Sequence, residues 1–237
     1  MNDPRPADER KRAAAAAAVE MVESDMHLGL GSGSTVAHFL TLLGERIRLG
    51  GLTGVSGVPT SIRTAERCRE LGIALGRLQD LAPLDLAVDG ADEVDPALDL
   101  IKGLGGALLR EKMVATEARR FVIIVDDSKT VKRLGSRAPL PVEVVTFAWE
   151  CQRPFLEDLG STPVLRRAPD GEPIRTDNGN LLLDCTFPEG IADPAELETR
   201  LRQRPGVVGT GLFLGMASDV LVAEADGVQR LVREGGA

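Results

Sequence analysis

The sequence predicts an α/β protein in which a parallel-sheet domain carries a smaller α+β domain. Short apolar runs alternate with helical patterns through the first half of the chain, which is typical of a parallel sheet. From about residue 130 the order changes to strand, helix, two strands and helix, which indicates a split βαβ unit. A chain of 237 residues with 43% hydrophobic content is long enough to bury two such cores.

Helices and strands alternate in the first half of the chain. The alanine run at 13–18 favours a helix because Ala has the highest helix propensity. The apolar run at 121–125 is typical of a strand that is covered on both faces. Helices are predicted at 7–24, 34–43, 61–71 and 105–120. Strands are predicted at 27–31, 54–58, 73–78, 84–88 and 121–125.

The second half has its own turn and cap signals. Asn178-Gly179 predicts a hairpin turn, and Asp193-Pro194 predicts a helix start with an N-cap and a proline at the first helical position. A helix is predicted at 148–160, and strands are predicted at 141–147, 162–168, 180–187, 206–214 and 219–225. We expect the smaller domain to span 131–204. The last strands are expected to return to a larger domain made of 1–130 and 205–237.

Charge and composition narrow the function classes. The net charge of −8 and the lack of a Lys and Arg cluster argue against a nucleic-acid partner, although a few converging cations can still bind a small anion. No apolar run reaches the roughly 18 residues of a membrane span and no signal peptide is recognised, so we expect a cytoplasmic protein without a membrane partner. Three scattered cysteines and two histidines favour neither a disulfide framework nor a metal site.

A glycine-rich stretch, GLGSGSTV at 29–36, lies between a predicted strand and a predicted helix. Backbone N–H groups and a helix N-terminus face one spot there, which suits an anion. The stretch lacks the third glycine of a dinucleotide fingerprint, and it is not a Walker A loop. Its hydroxyls, on Ser32, Ser34 and Thr35, suit a phosphate monoester. The alternative is a tight turn in which Ser34 is only the N-cap.

A second loop of this type, KGLGGALLREK at 102–112, also precedes a predicted helix. Lys102 stands at the mouth of the loop, and Glu111 is expected about one and a half turns into the helix. A lone helical Glu is more often a solvated surface residue than a functional one. Its neighbours in the fold must therefore decide the role of Glu111.

Four carboxylates are crowded into DGADEVD at 89–95. Asp89 directly follows a predicted buried strand, and α/β proteins assemble their sites at the carboxyl ends of parallel strands. The spacing does not fit an EF-hand, whereas a Mg²⁺ site with one or two carboxylates is compatible with it. We expect Asp95 to close a turn and Glu93 to face solvent. Asp89 and Asp92 are therefore the candidates for function.

With these stretches in view, the sequence resembles the type A family of ribose-5-phosphate isomerases. The shared motifs are GSGST (31–35), DGADEVD (89–95), KGLGGALLREK (102–112), DDSK (126–129), PLPVEV (139–144), TDNGN (176–180) and PGVV (205–208). The resemblance spans nearly the entire chain. It implies a Rossmann-like domain with a ferredoxin-like second domain. It also implies interconversion of ribose 5-phosphate and ribulose 5-phosphate without metal or organic cofactor, in a homodimer or homotetramer.

The resemblance also implies roles for individual residues. The general base falls on Glu111. The substrate-binding positions fall on Ser32, Gly33, Ser34, Thr35, Asp89, Gly90, Ala91, Asp92, Lys102, Gly103, Leu104, Gly105, Lys129 and Lys11. Two departures stand out, because Ser32 replaces an expected Thr and Leu104 stands where many members have Gly. The first keeps the hydroxyl, and the second adds a side chain to the loop that approaches the substrate.

An aldose–ketose isomerase that works through an enediolate needs a base for carbon, acid–base groups for two oxygens and positive charge near the oxyanion. We expect Glu111 to move the carbon-bound proton and Asp89 to assist ring opening. Lys102 would stabilise the enediolate while Asp92 orients it. Two alternatives are an amino-sugar phosphate isomerase/deaminase, whose glycine- and histidine-rich signature is absent, and a non-catalytic sugar-phosphate sensor. Retention of Glu111 favours an enzyme over a sensor.

Overall fold

The computed structural model of the protein describes residues 7–233, which divide into two units. The first unit holds the described residues up to Ala91, together with Arg110–Lys129 and the described residues from Met216 onward. The second unit holds Asp92–Leu109 and Thr130–Gly215. Within residues 7–233, no helix combines the length and apolar character that a membrane crossing requires.

The two units are built from the following helices and strands. The helices are α1 (Ala7–Val19), α2 (Ser34–Arg48), α3 (Ile62–Glu70), α4 (Leu78–Leu81), α5 (Leu108–Thr116), α6 (Gln152–Asp158) and α7 (Pro194–Gln203). The strands are β1 (His27–Leu30), β2 (Ser56–Pro59), β3 (Ala74–Leu75), β4 (Leu86–Asp89), β5 (Glu93–Val94), β6 (Leu100–Ile101), β7 (Phe121–Asp126), β8 (Leu140–Val144), β9 (Thr162–Leu165), β10 (Leu181–Thr186), β11 (Val207–Thr210), β12 (Leu212–Phe213), β13 (Asp219–Glu224) and β14 (Gly227–Val232).

The first unit is built on a seven-stranded sheet with the order β14-β13-β7-β4-β1-β2-β3. All neighbouring pairs are parallel except β13 with β14. Counted along the chain, the parallel strands stand in the 3-2-1-4-5-6 order of doubly wound sheets. This confirms the predicted Rossmann-like sheet. The order reverses between β1 and β4, so the carboxyl ends of these two strands meet at the position where such sheets bind ligands.

Small side chains allow the elements of the first unit to pack closely. Ala14, Ala15 and Ala18 of α1 are fully buried, so the alanine run has the structural role that the sequence predicted. Gly29 in β1 is equally constrained, because an added Cβ would lie 2.6 Å from Val114 Cγ1. The predicted helix at 7–24 ends earlier, at Val19.

The second unit contains a four-stranded antiparallel sheet with the order β11-β8-β10-β9. With α6 and α7 in their chain positions, this is the βαββαβ arrangement of ferredoxin-like folds, as predicted. Asp193 caps α7 by accepting the Glu196 N–H at 2.9 Å. The Asn178-Gly179 turn is also present, because Thr176 N–H donates to Asn180 O and Gly179 has a φ of +81°. A three-stranded sheet, β12-β6-β5, completes this unit.

The strands at the end of the chain depart from the sequence prediction. Residues 206–214 form two strands rather than one, and both belong to the second unit: β11 pairs with β8 and β12 pairs with β6. Residues 92–109 also lie in the second unit. An apolar strand looks the same in sequence whichever sheet it joins, which explains the difference. The predicted strand at 73–78 shortens to Ala74–Leu75 because α4 begins at Leu78.

The three cysteines should differ sharply in reactivity. Burial raises the pKa of Cys68 to about 11 and that of Cys185 to about 12, so both are neutral thiols at pH 8. Cys151 is exposed. Because the thiolate is the reactive form, we expect iodoacetamide at pH 8 to label only Cys151 in the folded protein, as measured by mass spectrometry. Cys151→Ser should then take no label, and rapid native labelling of Cys68 would contradict this prediction.

Candidate active site

In the first unit, the ends of β1 and β4 approach each other closely because the residue after β1 has no side chain. Gly31, the residue after β1, donates its N–H to Val88 O at 3.0 Å. A Cβ at position 31 would collide with the Asp89 carboxylate. Asp89, the last residue of β4, is 3% exposed. Glycine at position 31 therefore lets a buried carboxylate lie against the backbone of the neighbouring strand.

Ser32 connects two buried carboxylates of the first unit. Its N–H donates to Asp89 Oδ1 at 3.0 Å, and its Oγ donates to Glu111 Oε1 at 2.5 Å. Asp89 Oδ1 also accepts the N–H of Gly90 at 2.8 Å. Such charge-assisted hydrogen bonds fix the direction of both carboxylates. The sequence pattern predicted an anion-binding role for the Ser32 hydroxyl. In the structure this hydroxyl is hydrogen-bonded to Glu111.

Glu111 is a buried residue in the first turn of α5. It is 4% exposed, so the reading of this residue as a solvated helical Glu is wrong. The helix begins at Leu108 and ends at Thr116, which is shorter than the predicted 105–120. The start at Leu108 brings Glu111 to the N-terminal turn rather than one and a half turns into the helix.

The loop between β1 and α2 leaves the N-terminus of α2 open. The N-cap of α2 is Gly33, at a φ of +95°, and no side chain caps this helix. Ser34 is the first helical residue, so the alternative that Ser34 is the N-cap is wrong. Its Oγ accepts a hydrogen bond from Lys11 Nζ at 2.9 Å. Ser34 is exposed and Thr35 is half-buried, so the first-turn N–H groups and hydroxyls can meet an anion.

Lys129 lies in a 3₁₀ turn, Asp127–Lys129, that follows β7, the strand next to β4. The turn is held by Asp126, which is buried and accepts hydrogen bonds from the N–H and the Oγ of Ser128. Arg10 Nη1 donates to Asp127 Oδ1 at 2.5 Å. Arg10 precedes Lys11 on α1, so this ion pair links the elements that carry the two lysines.

In the second unit, Asp92 and Lys102 lie at the same end of the antiparallel β5–β6 pair, one just before β5 and the other just after β6. Asp92 N–H donates to Ile101 O at 2.8 Å, and Lys102 N–H donates to Gly211 O at 2.9 Å. Lys102 is buried, with its Nζ 5.4 Å from the ring centroid of Phe213, within cation–π range. Phe213 is not among the predicted residues, because one aromatic in an apolar strand gives no sign of a cation partner.

The loop that follows Lys102 needs glycine and exposes a leucine. Gly103 has a φ of +105°, which L side chains rarely adopt. Leu104 N–H donates to Asp92 Oδ2 at 3.0 Å, and Leu104 is 42% exposed. Gly105 is exposed as well. Asp92 thus holds the loop that follows Lys102 through the N–H of Leu104.

The other two acids of the 89–95 cluster have structural roles. The prediction that Glu93 faces solvent is wrong: Glu93 is fully buried and accepts hydrogen bonds from the backbone N–H groups of Gly135, Arg137 and Ala138 at 2.6–2.7 Å. These donors lie more than 40 residues from Glu93 along the chain, so no local sequence pattern reveals the contacts. Asp95 closes the turn as predicted, because its Oδ1 accepts the N–H groups of residues 97 and 99.

Among residues 7–233, no group of three or more His, Cys, Asp or Glu side chains is arranged to hold a metal ion. The first unit instead offers two oriented, buried carboxylates beside a helix N-terminus that suits an anion. These features are typical of a doubly wound α/β enzyme whose candidate site lies at the carboxyl ends of its parallel strands.

Comparison with known proteins identifies the family. Residues 56–227 match the family model of ribose 5-phosphate isomerase A (phosphoriboisomerase A). The chain is 52% identical over 222 residues to the ribose-5-phosphate isomerase A of Chloroflexus aurantiacus, which covers 94% of this chain and 92% of the relative. The chain belongs to the ribose 5-phosphate isomerase A family, and the protein is an isomerase.

Solved structures agree with this assignment. A D-ribose-5-phosphate isomerase in complex with phospho-erythronic acid has a TM-score of 0.93 and 39% identity, over 97% of this chain and all of that one. Ribose 5-phosphate isomerase A from Methanocaldococcus jannaschii has a TM-score of 0.91 and 40% identity, over 96% of this chain and all of that one. The fold of these solved isomerases therefore extends over 96–97% of this chain.

Gly31→Ala tests the packing of Asp89 against β1. The added methyl group would collide with the Asp89 carboxylate, so we expect kcat/KM in an isomerase assay to fall by about 100-fold, the scale typical of a displaced catalytic group. Gly51→Ala is the matched control, because its Cβ would have no contact closer than 3.4 Å. Full activity of Gly31→Ala would show that Asp89 does not depend on this contact.

Proposed function

We propose that the protein interconverts D-ribose 5-phosphate and D-ribulose 5-phosphate through an enediolate, a reaction of the non-oxidative branch of the pentose phosphate pathway. One observation carries this proposal: Ser32 joins the buried carboxylates of Asp89 and Glu111 at the open N-terminus of α2. Two carboxylates suit proton transfers to carbon and oxygen, and the helix N-terminus suits a phosphate. Membership of the ribose 5-phosphate isomerase A family supports the same substrate pair.

Glu111 is the proposed base that moves the proton between C1 and C2 of the sugar. Its carboxylate is buried, which reduces competition from water, and the hydrogen bond from Ser32 Oγ fixes one of its oxygens. Fixed geometry is what a general base needs, because it must reach the carbon-bound proton at hydrogen-bonding distance. The same carboxyl group can return the proton to the neighbouring carbon.

Asp89 is the proposed acid–base group for the oxygens. Ring opening and the enediolate step both require protons to move on and off sugar oxygens. The hydrogen bonds from the backbone N–H groups of Ser32 and Gly90 hold its Oδ1 in place. They therefore set the direction from which the carboxyl group meets the substrate.

Lys102 and Asp92 are the proposed partners of the enediolate. The ammonium of Lys102 supplies positive charge, which is worth most where water is excluded, and Lys102 is 3% exposed. Asp92 would orient the sugar hydroxyls, together with Gly90, Ala91 and the loop from Gly103 to Gly105. The exposed Leu104 side chain is then a candidate for tuning sugar preference.

The 5-phosphate is proposed to bind the segment from Ser32 to Thr35. First-turn N–H groups and hydroxyls would donate to it, and Lys129 and Lys11 would add positive charge. Because the phosphate does not react, the free energy of its binding can hold C1 and C2 in position for the proton transfer.

Cofactor use, assembly and location belong to the same proposal. We propose a reaction without metal or organic cofactor, a homodimer or homotetramer, and a cytoplasmic location. The amino-sugar phosphate isomerase/deaminase alternative and the sensor alternative are not favoured by the family match.

One experiment tests the function as a whole. The purified protein is offered ribose 5-phosphate, arabinose 5-phosphate and xylose 5-phosphate with excess chelator, and ketose formation is followed. We expect turnover of ribose 5-phosphate at the same rate with and without chelator, and the other two sugars measure how strongly the site prefers ribose. Activity that disappears on chelation and returns with Mg²⁺ would assign Asp89 and Asp92 to a metal site instead.

Glu111→Gln should reduce kcat by about 100-fold or more, because the substitution keeps the shape of the side chain and removes its basicity. Steady-state kinetics on ribose 5-phosphate measure the effect. Glu117→Gln, an exposed position just after α5, is the matched control and should retain wild-type kcat. A loss of only a few-fold in Glu111→Gln would refute the proposed role.

Ser34→Ala combined with Thr35→Ala should weaken binding of both ribose 5-phosphate and inorganic phosphate by about 10-fold or more, because each hydroxyl that bonds a charged group contributes to affinity. Titration calorimetry measures both dissociation constants. Thr41→Ala on the same helix is the control, since that hydroxyl bonds Ala37 O within α2. Unchanged affinity for both ligands would contradict the phosphate site.

A further inference from the structure

In the second unit, the loop 102–106 is held by a side chain from a distant part of the chain. Arg166, the residue after β9, donates from Nη1 to Gly103 O at 3.1 Å and to Leu104 O at 3.0 Å. More than 60 residues separate the donor from the two acceptors. Arg166 therefore contacts the same loop that is proposed to meet the sugar, on its carbonyl side.

Arg166 is itself fixed by a bidentate ion pair. Its Nε donates to Asp184 Oδ2 at 2.8 Å and its Nη2 donates to Asp184 Oδ1 at 2.5 Å. The two side chains are 13% and 22% exposed. The backbone adds a further constraint, because Arg166 N–H donates to Leu182 O at 2.9 Å. With two nitrogens bound to Asp184, the planar guanidinium can present Nη1 in only one direction.

The contacts of Arg166 set the direction of two peptide groups. A trans peptide points its C=O and its N–H in opposite directions. In the Gly103–Leu104 peptide the C=O accepts from Arg166 and the N–H donates to Asp92, so both edges of that peptide are held. In the next peptide the C=O of Leu104 also accepts from Arg166. The N–H of Gly105 is consequently directed away from Arg166, towards the side on which Asp92 binds the loop.

A loop of this composition needs such a restraint. Gly103 has a φ of +105° and Gly106 has a φ of +83°, and glycine backbones reach many other conformations. Within the loop, Gly106 N–H donates to Gly103 O at 3.0 Å. Arg166 shares that same acceptor, so it reinforces the turn from outside.

We propose that Arg166, oriented by Asp184, is a positioning residue for catalysis, and this inference rests on the proposed function. Arg166 fixes the peptides of Gly103 and Leu104 so that Asp92, Lys102 and the Gly105 N–H keep the directions that the sugar end of the substrate requires. A lysine cannot replace it, because a single ammonium cannot bind both oxygens of Asp184 and two carbonyls in a fixed plane.

Arg166→Lys tests this proposal, with Arg167→Lys as the matched control. Arg167 is the next residue, is exposed, and donates to Gly171 O at 2.7 Å, outside the loop. We expect kcat/KM for ribose 5-phosphate to fall by about 10-fold to 100-fold in Arg166→Lys, the range for small misplacements of catalytic groups, and to stay unchanged in Arg167→Lys.

Binding measurements separate positioning from a general structural effect. Calorimetric dissociation constants are measured for inorganic phosphate and for phospho-erythronic acid, which also has a sugar-like end. Arg166→Lys should weaken phospho-erythronic acid by about 10-fold and leave phosphate within twofold, because the phosphate segment at 32–35 belongs to the first unit. Asp184→Asn should show the same selective loss, and it provides the test if Arg166→Lys does not fold.

Two outcomes would overturn the inference. One is unchanged kcat/KM and unchanged affinity for phospho-erythronic acid in both variants. The other is an equal loss of affinity for both ligands, which would assign Arg166 to the stability of the protein as a whole. Failure of the proposed function is a distinct result: the wild-type protein would not isomerise ribose 5-phosphate, while its affinity for phospho-erythronic acid would still report on Arg166.

Discussion

The contact between the Asp89 carboxylate and the backbone of Gly31 is the constraint on which the candidate residues of the first unit depend. It arises because the strand order reverses between β1 and β4, which brings the ends of these two strands side by side. Only glycine leaves room there for a buried carboxylate. Once Asp89 is fixed, the N–H of Ser32 is committed to it, and the hydroxyl of Ser32 is directed to Glu111. The same turn then opens α2 at Gly33.

Within the second unit, the carboxylates of Asp92, Glu93 and Asp95 look alike in sequence, and their hydrogen-bond partners distinguish them. Glu93 accepts hydrogen bonds from three backbone N–H groups, and Asp95 closes a turn. Both carboxylates therefore have structural roles. Asp92 instead holds the N–H of Leu104 while Arg166 holds its carbonyl. Glu93 and Asp95 therefore fix the backbone around them, whereas Asp92 fixes the loop that is proposed to meet the sugar.

Much of the fold and part of the candidate site could be predicted from the sequence. The features that could not be predicted share one physical reason. Apolar periodicity, the Asp193-Pro194 cap signal and glycine-rich turns are local, so they predicted the parallel sheet, the start of α7 and the candidate residues at 32–35 and 89. The expected role of Glu111 came from the resemblance of its motif to the family. Partners far apart in the chain are not local. The burial of Glu93, the sheet that β11 joins and the Arg166–Asp184 pair all depend on such partners. Asp184 offers the one hint, as an acid inside the apolar strand LLLDCT.

The central claim is that Glu111 moves a proton between C1 and C2 of the sugar through an enediolate. Isomerisation in D₂O, followed by NMR, tests this claim most directly. A carboxyl base exchanges its proton with solvent, so over repeated turnovers we expect deuterium at C2 of ribose 5-phosphate and at C1 of ribulose 5-phosphate. Glu111→Gln should lose this exchange together with isomerisation. Retention of the original carbon-bound hydrogen through many wild-type turnovers, or undiminished exchange in Glu111→Gln, would contradict the account.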